Sequence, residues 1–286
     1  MDQRDQIAAE VRKEYLSDLI LTGSPRGFVN ELDRRFDRIY LESVDRYFKA
    51  PPWDLPGVSL AVCCYLAWGE VRSVDTFTRQ AVELGFDRPR LRLLLSKQIY
   101  EEMVHHQMFR QAAIKMGGVD PLRVQQPAVL MDMFEAYDSA YGSADILEKI
   151  YYSQFSSERA VIPSFKRLKE SMQASRRGLD PLMARAFNQV QHDEPGHVGV
   201  GRLAAWELAD RGRAQRVRMI DLALHIIAIT IDRWVPETKN IPAMVSWAGS
   251  LVAAKATAML QARVPGDGDD PNSFSIDTAS VPQAAV

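Results

Sequence analysis

Apolar residues along this chain recur at intervals of three and four, which is the period of an α-helix that buries one face. Residues 34–48 show the pattern clearly, with Phe36, Ile39, Tyr40 and Val44 in register. A half-buried strand would instead require apolar and polar residues to alternate, and no segment sustains that alternation. The pattern therefore predicts an all-α protein.

Glycine and proline divide the helical pattern into long segments. Gly85 ends a helix predicted over residues 58–84, and Gly118 follows a second one predicted over residues 89–116. Further helices are predicted over residues 143–172 with Ser143 as the N-cap, over residues 181–211, 213–234 and 241–262, and over a shorter stretch at 129–137. Pro163 predicts a bend in its helix because it removes a backbone donor.

Charge and composition narrow the class of protein. The chain carries 35 Lys and Arg against 37 Asp and Glu, so no broad basic face is expected for nucleic acid. The longest charge-free stretches, residues 55–69 and 240–254, are shorter than the roughly 20 apolar residues of a membrane-spanning helix. The N-terminus is charged and lacks a signal-peptide core, and the only two cysteines, Cys63 and Cys64, are adjacent. We therefore expect a cytoplasmic protein without a disulfide framework that binds neither nucleic acid nor a membrane.

Two of the predicted helices carry an acid pair followed by a histidine. One contains the sequence EEMVH, which ends at His105, and a later one contains DEPGH, which ends at His197. In each, a glutamate (Glu102 or Glu194) stands three residues before the histidine. At about 100° and 1.5 Å per residue, side chains three apart lie on one helix face. Each pair can therefore bind one metal centre.

The two remaining long helices each offer one further carboxylate. Glu70 follows the charge-free stretch over residues 55–69, where a buried charge is costly unless it is paired or metal-bound. Glu158 lies between Phe155 and a short apolar run. Two ExxH helices need only one carboxylate from each of two other helices to enclose two metals.

Each of these two carboxylates has a rival on its own helix. Glu83 is the alternative to Glu70, although it lies near the helix end beside a surface turn. Glu148 is the alternative to Glu158. The interval from Glu158 to the second ExxH motif nearly equals the interval from the first candidate to the first motif, as in two antiparallel helix pairs. We favour Glu70 and Glu158 on these grounds.

The doubled arrangement resembles the ferritin-like diiron-carboxylate superfamily, which includes the ribonucleotide reductase small subunit, arylamine N-oxygenases and aldehyde-deformylating oxygenases. The resemblance covers about residues 58–211. It implies a ferritin-like four-helix bundle with additional helices at both ends. We expect one domain over residues 1–263 and, from its turn formers and acids, a disordered tail over residues 264–286. The metal ligands implied by the resemblance are Glu70, Glu102, His105, Glu158, Glu194 and His197.

The resemblance also implies a function. In such proteins two Fe ions bind O₂ and oxidise a small organic substrate by hydroxylation, N-oxygenation, desaturation or C–C cleavage. Glu102 and Glu194 would be the bridging, catalytic carboxylates, a ferredoxin or flavin reductase would supply electrons, and a homodimer is compatible with the scaffold. An Mn/Fe or dimanganese centre fits the same ligand types. The alternatives are a ferroxidase or metal-handling protein without an organic substrate, and a metal-free helical interaction protein.

At two positions this chain differs from individual families of the superfamily in residues that carry a family-specific feature. Phe109 stands where the reductase small subunit has its radical tyrosine, and Val190 stands where arylamine N-oxygenases have a seventh ligand. We therefore expect neither feature. Pro195 and Gly196 weaken the helix within the second motif, which predicts a local bulge or a mobile ligand helix.

Several residues beside the motifs carry weaker expectations. Asp193 and Glu101 can accept hydrogen bonds from ligand imidazoles and fix their tautomers. His106 and His192 are expected at the surface or in such supporting roles. His225 is expected to be a core histidine, and the two cysteines are expected to pack as small apolar residues.

Overall fold

The computed structural model describes residues 2–131, 135, 145–234 and 240–261, and all regular secondary structure in those ranges is helical. The prediction of an all-α protein is thereby confirmed. Ser143 and the tail predicted over residues 264–286 lie outside the described residues, as does most of the short helix predicted over residues 129–137.

Besides the helical residues 128–131, the described part of the chain forms eight helices. The first four are α1 (Gln3–Val11, continued by a π-helical turn Arg12–Leu16), α2 (Pro25–Tyr47), α3 (Val58–Glu83) and α4 (Pro89–Gly117), followed by a 3₁₀ turn (Pro121–Arg123). The next is α5, in three consecutive segments (Ile146–Ile150, the π-helical Tyr151–Ser157, and Glu158–Gln173), and then come α6 (Pro181–Asp210), α7 (Arg213–Trp234) and α8 (Asn240–Gln261). Within the described ranges, none of them has the length and apolar character needed to cross a bilayer.

Capping residues explain where these helices begin and end. Ser24 accepts a hydrogen bond from the Gly27 amide, so α2 begins well before the predicted residue 34. Asp145 caps α5 by accepting from the amides of residues 147 and 148, which replaces the predicted cap at residue 143. Gly118 closes α4 in the left-handed conformation, with φ of 67°. Helix α1 was not predicted because it has no apolar stripe, and only Val11 of its residues is buried.

Four helices enclose the middle of the molecule. Helix α3 packs along α4, α5 packs along α6, α4 contacts α6, and α3 contacts the start of α5. Helix α2 covers α5 and α6, α7 packs on the π-helical segment, and α8 packs on α3. Buried apolar residues form two clusters, and along α3, α4 and α6 the two clusters occupy opposite ends of each helix. The stretch between them is where the candidate ligands lie.

The irregular segment lies in α5 rather than in α6. Pro195 and Gly196 predicted a bulge at the second motif, yet α6 continues as an α-helix through both residues. The widened π-helical turn instead ends at Ser157, immediately before Glu158. Short π-helical insertions are rare and locally re-aim the side chains that follow them.

A glycine in α6 lets the π-helical segment approach closely. A Cβ atom placed on Gly201 would lie 2.2 Å from the backbone nitrogen of Phe155. The same atom would lie 2.7 Å from the carbonyl carbon of Gln154. No real side chain fits at these distances, so the packing of α5 on α6 requires glycine at this position.

Candidate metal centre

Six buried side chains from four helices meet between the two apolar clusters. One group that can hold a metal ion contains Glu70, Glu102 and His105, and the other contains Glu102, Glu158, Glu194 and His197. Within each group the ligand atoms lie within 4.8 Å of one another, and Glu102 belongs to both. All six predicted residues therefore share one site. We refer to Glu70, Glu102 and His105 as the α3/α4 half-site, and to Glu158, Glu194 and His197 as the α5/α6 half-site.

Both histidines point Nδ1 toward the carboxylates. His105 Nδ1 lies 3.5 Å from Glu102 Oε2 and 3.9 Å from Glu70 Oε2. His197 Nδ1 lies 3.1 Å from Glu102 Oε1 and 3.3 Å from Glu194 Oε2. Because each histidine follows its glutamate by three residues, one helix face presents both, as the sequence predicted.

The opposite ring nitrogens face acids on the other motif helix. His105 Nε2 donates to Asp193 Oδ2 at 3.0 Å, from α4 to α6. His197 Nε2 lies 3.4 Å from Glu101 Oε2, in the reverse direction. A carboxylate on one ring nitrogen fixes the tautomer and leaves the other nitrogen free to bind a metal. The two predicted supporting acids therefore act across the helices rather than within their own motifs.

The two supporting acids differ in how firmly they are held. Asp193 also accepts hydrogen bonds from Gln189 Nε2 at 2.7 Å and His192 Nδ1 at 2.9 Å. Burial opposes ionisation of Asp193, but these three hydrogen bonds outweigh it and lower its pKa. Glu101, besides its contact with His197, forms an ion pair with Lys97, a largely exposed lysine one turn earlier on α4. The partner of His105 is thus fixed and the partner of His197 is not.

Burial and mutual charge shift the pKa values of the cluster. Burial, with repulsion from neighbouring carboxylates, raises the pKa of Glu70 and of Glu158 well above the usual range. Burial opposes protonation of both histidines, yet hydrogen bonds and attraction from the acids raise their pKa values. For Glu102 burial opposes ionisation, but the proximity of the two histidines outweighs it and lowers the pKa of Glu102. Without a cation, protons therefore offset part of the carboxylate charge.

The atoms of this cluster fit metal ions better than they fit one another. Glu102 Oε1, Glu194 Oε2, His105 Nδ1 and His197 Nδ1 are buried and have no hydrogen-bond partner in the described part of the structure. A buried polar atom without a partner costs about 1–3 kcal/mol. Carboxylate oxygen and imidazole nitrogen are suitable ligands for iron and manganese. The six residues therefore fit metal ions better than an empty cluster, and Glu102 is shared by the two groups that could hold one.

An apolar cavity opens onto the carboxylate side of the cluster. Its volume is about 270 Å³, and it lies between α3 and α5. Glu70, Glu158 and Glu194 form its floor. Its walls include Val62, Leu66, Leu130, Val161, Phe165, Leu168, Ile241 and Met244. The two histidines do not line it, so a small molecule in this cavity reaches the centre from the carboxylate side.

The rival glutamates serve other purposes. Glu83 forms an ion pair with Lys149 Nζ at 2.7 Å near the surface. Glu148 is buried, but it accepts hydrogen bonds from Arg218 Nε at 2.5 Å and Gln215 Nε2 at 2.7 Å on α7. Neither belongs to the groups of potential metal ligands in the described residues. The preference for Glu70 and Glu158 as members of the cluster is therefore supported.

The remaining histidines only partly follow their expected places. His106 is buried and donates from Nδ1 to the Ala67 carbonyl at 2.5 Å, so it ties α4 to α3. His192 is exposed and supports Asp193. His225 was expected in the core, and that prediction is wrong because it lies on the exposed face of α7.

The positions that distinguished related families are apolar. Phe109 packs its ring against Phe165 and Phe187, and Val190 is fully buried beside them. Cys63 and Cys64 are fully buried in the same apolar cluster, as predicted. These residues form a wall of the centre and contribute no ligand to either group found among the described residues.

A layer of buried glutamines beside the cluster was missed by sequence reasoning. Gln98 precedes Glu102 by four residues, and Gln154 precedes Glu158 by four residues. Gln154 Nε2 donates to Gln80 Oε1 at 3.1 Å, whereas both amide atoms of Gln98 have no partner among the described residues. The repeated spacing of glutamine and glutamate was the signal available in the sequence.

Three comparisons with known proteins found no match for this chain. No protein-family model, no curated protein and no solved structure matches it significantly. The resemblance to the ferritin-like superfamily therefore stays a prediction from the doubled sequence motif.

Proposed function

We propose that this chain is a non-haem diiron oxidase or oxygenase, built on a ferritin-like four-helix bundle, that uses O₂ to oxidise a small organic substrate. The observation that carries the proposal is the cluster of four glutamates and two histidines. Each histidine there turns Nδ1 inward and Nε2 toward an acid. The adjoining apolar cavity favours an organic substrate over iron storage alone.

The proposed roles follow from position. Glu70, Glu102 and His105 would hold one iron, and Glu102, Glu158, Glu194 and His197 would hold the other. When bound, a pair of iron ions supplies the redox chemistry that activates O₂, which protein side chains alone do not provide. Glu102 would help to hold both ions, because one of its oxygens faces His105 and the other faces His197. Asp193 and Glu101 would keep each Nδ1 free of a proton.

The surrounding protein would control which molecules reach the centre and how the substrate is oriented there. The two apolar clusters on either side keep water from the centre, and the cavity holds the substrate against the carboxylate side. Insertion of one oxygen atom consumes one O₂, two electrons and two protons and releases one water. The chain would therefore need an electron donor such as a ferredoxin or a flavin reductase.

Metal loading is the first test of the proposal. After anaerobic loading with Fe(II) and desalting, we expect two irons per native chain. Glu102→Gln, which affects both half-sites, should lose most of both. Glu148→Gln is the matched control, because Glu148 on α5 is, like Glu102 on α4, a buried glutamate but lies outside the cluster. Well under one iron per native chain, unchanged by Glu102→Gln, would exclude a dinuclear centre.

Proton release provides a second readout of the same loading. Glu70, Glu158, His105 and His197 have raised pKa values, so the metal-free cluster holds protons that a cation must displace. Metal affinity should therefore fall as the pH falls, since protons compete for the ligand atoms. Titration with Fe(II) under anaerobic conditions, in two buffers of different ionisation enthalpy, measures the number released. No proton release at neutral pH would contradict this account of the cluster.

Oxygen consumption separates the proposed oxygenase from a ferroxidase. A ferroxidase consumes O₂ only in proportion to the Fe(II) added. An oxygenase supplied with an electron donor consumes O₂ steadily, and that consumption depends on an organic molecule. Screening small amphiphilic and aromatic compounds for such consumption would identify the substrate. A purely iron-dependent burst with every compound would favour the metal-handling alternative.

A further inference from the structure

The cavity has an uneven distribution of charge. Its floor is formed by Glu70, Glu158 and Glu194, and its walls are largely apolar. Among the described residues that line it, the remaining charged one is Lys49. Lys49 is exposed, so it stands where the cavity meets solvent. One end of the cavity therefore carries acids and the other carries a single cation.

Lys49 is carried by a segment that is fixed on both sides. The amide of Phe48 donates to the Val44 carbonyl at 3.0 Å, which closes α2 one residue earlier. Two prolines, Pro51 and Pro52, follow and restrict the backbone to extended conformations. Trp53 is buried, and its Nε1 donates to Ser171 Oγ on α5 at 3.0 Å. The chain therefore holds the base of this lysine at the rim of the cavity.

The charge of Lys49 is not engaged by the protein itself. No hydrogen bond or ion pair joins its ammonium group to another residue in the described part of the chain. Most other basic residues of α2 behave differently: Arg34 and Arg35 pair with Glu31, and Arg38 pairs with Glu42. An unpaired cation beside an apolar cavity is suited to a ligand with one anionic group and an apolar body.

We propose that the cavity binds a small amphiphilic carboxylate whose anionic group pairs with Lys49 and whose apolar chain extends toward the glutamate floor. A single lysine balances a single negative charge, which favours a carboxylate over a doubly charged phosphate. Among the described residues that line the cavity no other basic one competes with Lys49 for this group, so Lys49 sets the orientation of the ligand. That this ligand is a substrate rests on the proposed function, and its oxidation would then occur at the end remote from the carboxylate.

Binding to the metal-free protein tests the inference without iron or O₂. The probes are octanoate and octan-1-ol, which share an apolar chain and differ in head-group charge. For the native chain, calorimetry should show tighter binding of octanoate. Lys49→Met should lower the affinity for octanoate roughly threefold to tenfold, the range for a partly exposed ion pair. The affinity for octan-1-ol should not change. Lys49→Arg should retain the preference, and added salt should reduce it.

Two further variants locate the site. Lys166→Met is the matched control, because it removes an exposed lysine of α5 that does not line the cavity, and it should change neither affinity. Val161→Phe narrows the cavity itself and should weaken both probes. If Lys49→Met leaves octanoate binding unchanged, or weakens both probes equally, the inference is wrong. Failure to load iron would overturn the proposed function and leave this result standing.

Discussion

The two half-sites use the same residue types but are supported differently. In the α3/α4 half-site the ligands lie on uninterrupted α-helices, and His105 Nε2 is hydrogen-bonded to an aspartate that two other side chains hold. In the α5/α6 half-site, Glu158 directly follows a π-helical turn, and Pro195 interrupts the hydrogen bonding of α6 beside Glu194. His197 Nε2 has no hydrogen bond of good geometry among the described residues.

This difference separates a rigid half from an adjustable half. The cavity contacts two residues of the α5/α6 half-site, Glu158 and Glu194, but only Glu70 of the other. Carboxylates that change their mode of binding during a reaction need backbone and side-chain freedom, whereas a fixed metal position needs the reverse. We infer that the α3/α4 half-site would anchor one ion while the α5/α6 half-site would adapt on the side of the cavity.

The largest expected effect comes from removing the acids behind the histidines. Asp193→Asn keeps the size of the side chain but removes the charge that orients His105. The substitution should lower the affinity for the metal ion held by His105 by about 10–100-fold. Glu101→Gln should lower the affinity for the ion held by His197 less than tenfold, because the contact of Glu101 with His197 is longer and the Glu101 side chain is partly exposed. Stepwise Fe(II) binding measured anaerobically for both variants gives the comparison. Equal losses would show that the half-sites are supported alike.

The packing of α5 on α6 gives the next effect. Gly201→Ala places a methyl group against the backbone of the π-helical segment and should destabilise the protein by about 2 kcal/mol. Gly201→Ala should also reduce iron binding at the α5/α6 half-site, because Glu158 directly follows the π-helical segment. Chemical denaturation and metal stoichiometry measure the two effects.

A neighbouring glycine supplies the control for this substitution. A Cβ on Gly199 meets no atom within 4 Å. Gly199→Ala in the same helix should therefore be neutral or stabilise the protein by up to about 1 kcal/mol, since alanine favours the helix. If Gly201→Ala were equally harmless, the π-helical segment would not depend on close contact with α6.

The sequence predicted correctly those features that depend on residues within a single helix. Gly85, Pro89 and Gly118 mark helix ends through their own backbone preferences, so the bounds predicted for α3 and α4 agree with the structure within one or two residues. The ExxH spacing likewise places Glu102 and His105 on one face by helix geometry alone.

Contacts between helices were the part that sequence reasoning could not supply. The hydrogen bond from His105 to Asp193 joins α4 to α6, and spacing along one helix carries no information about it. Glu148 and Glu158 lie on the same helix, and what sets Glu148 apart is the pair of hydrogen bonds that it accepts from Arg218 and Gln215 on α7. The π-helical turn was missed because no residue within it marks it, and the glycine that it packs against, Gly201, lies on another helix.

The smallest expected effect concerns the glutamines one turn before Glu102 and Glu158. Gln98 is buried with both amide atoms unpartnered among the described residues, whereas Gln154 donates to Gln80. Removing a buried polar group that lacks a partner gains stability, and removing a bonded one leaves its partner unsatisfied. Gln98→Met should therefore stabilise the metal-free protein by about 1 kcal/mol, and Gln154→Met should destabilise it by about the same amount. Urea denaturation of the two variants measures both changes. A loss of stability in Gln98→Met would mean that ordered water satisfies this amide, and that the rigid half of the centre includes a hydrated layer beside Glu102.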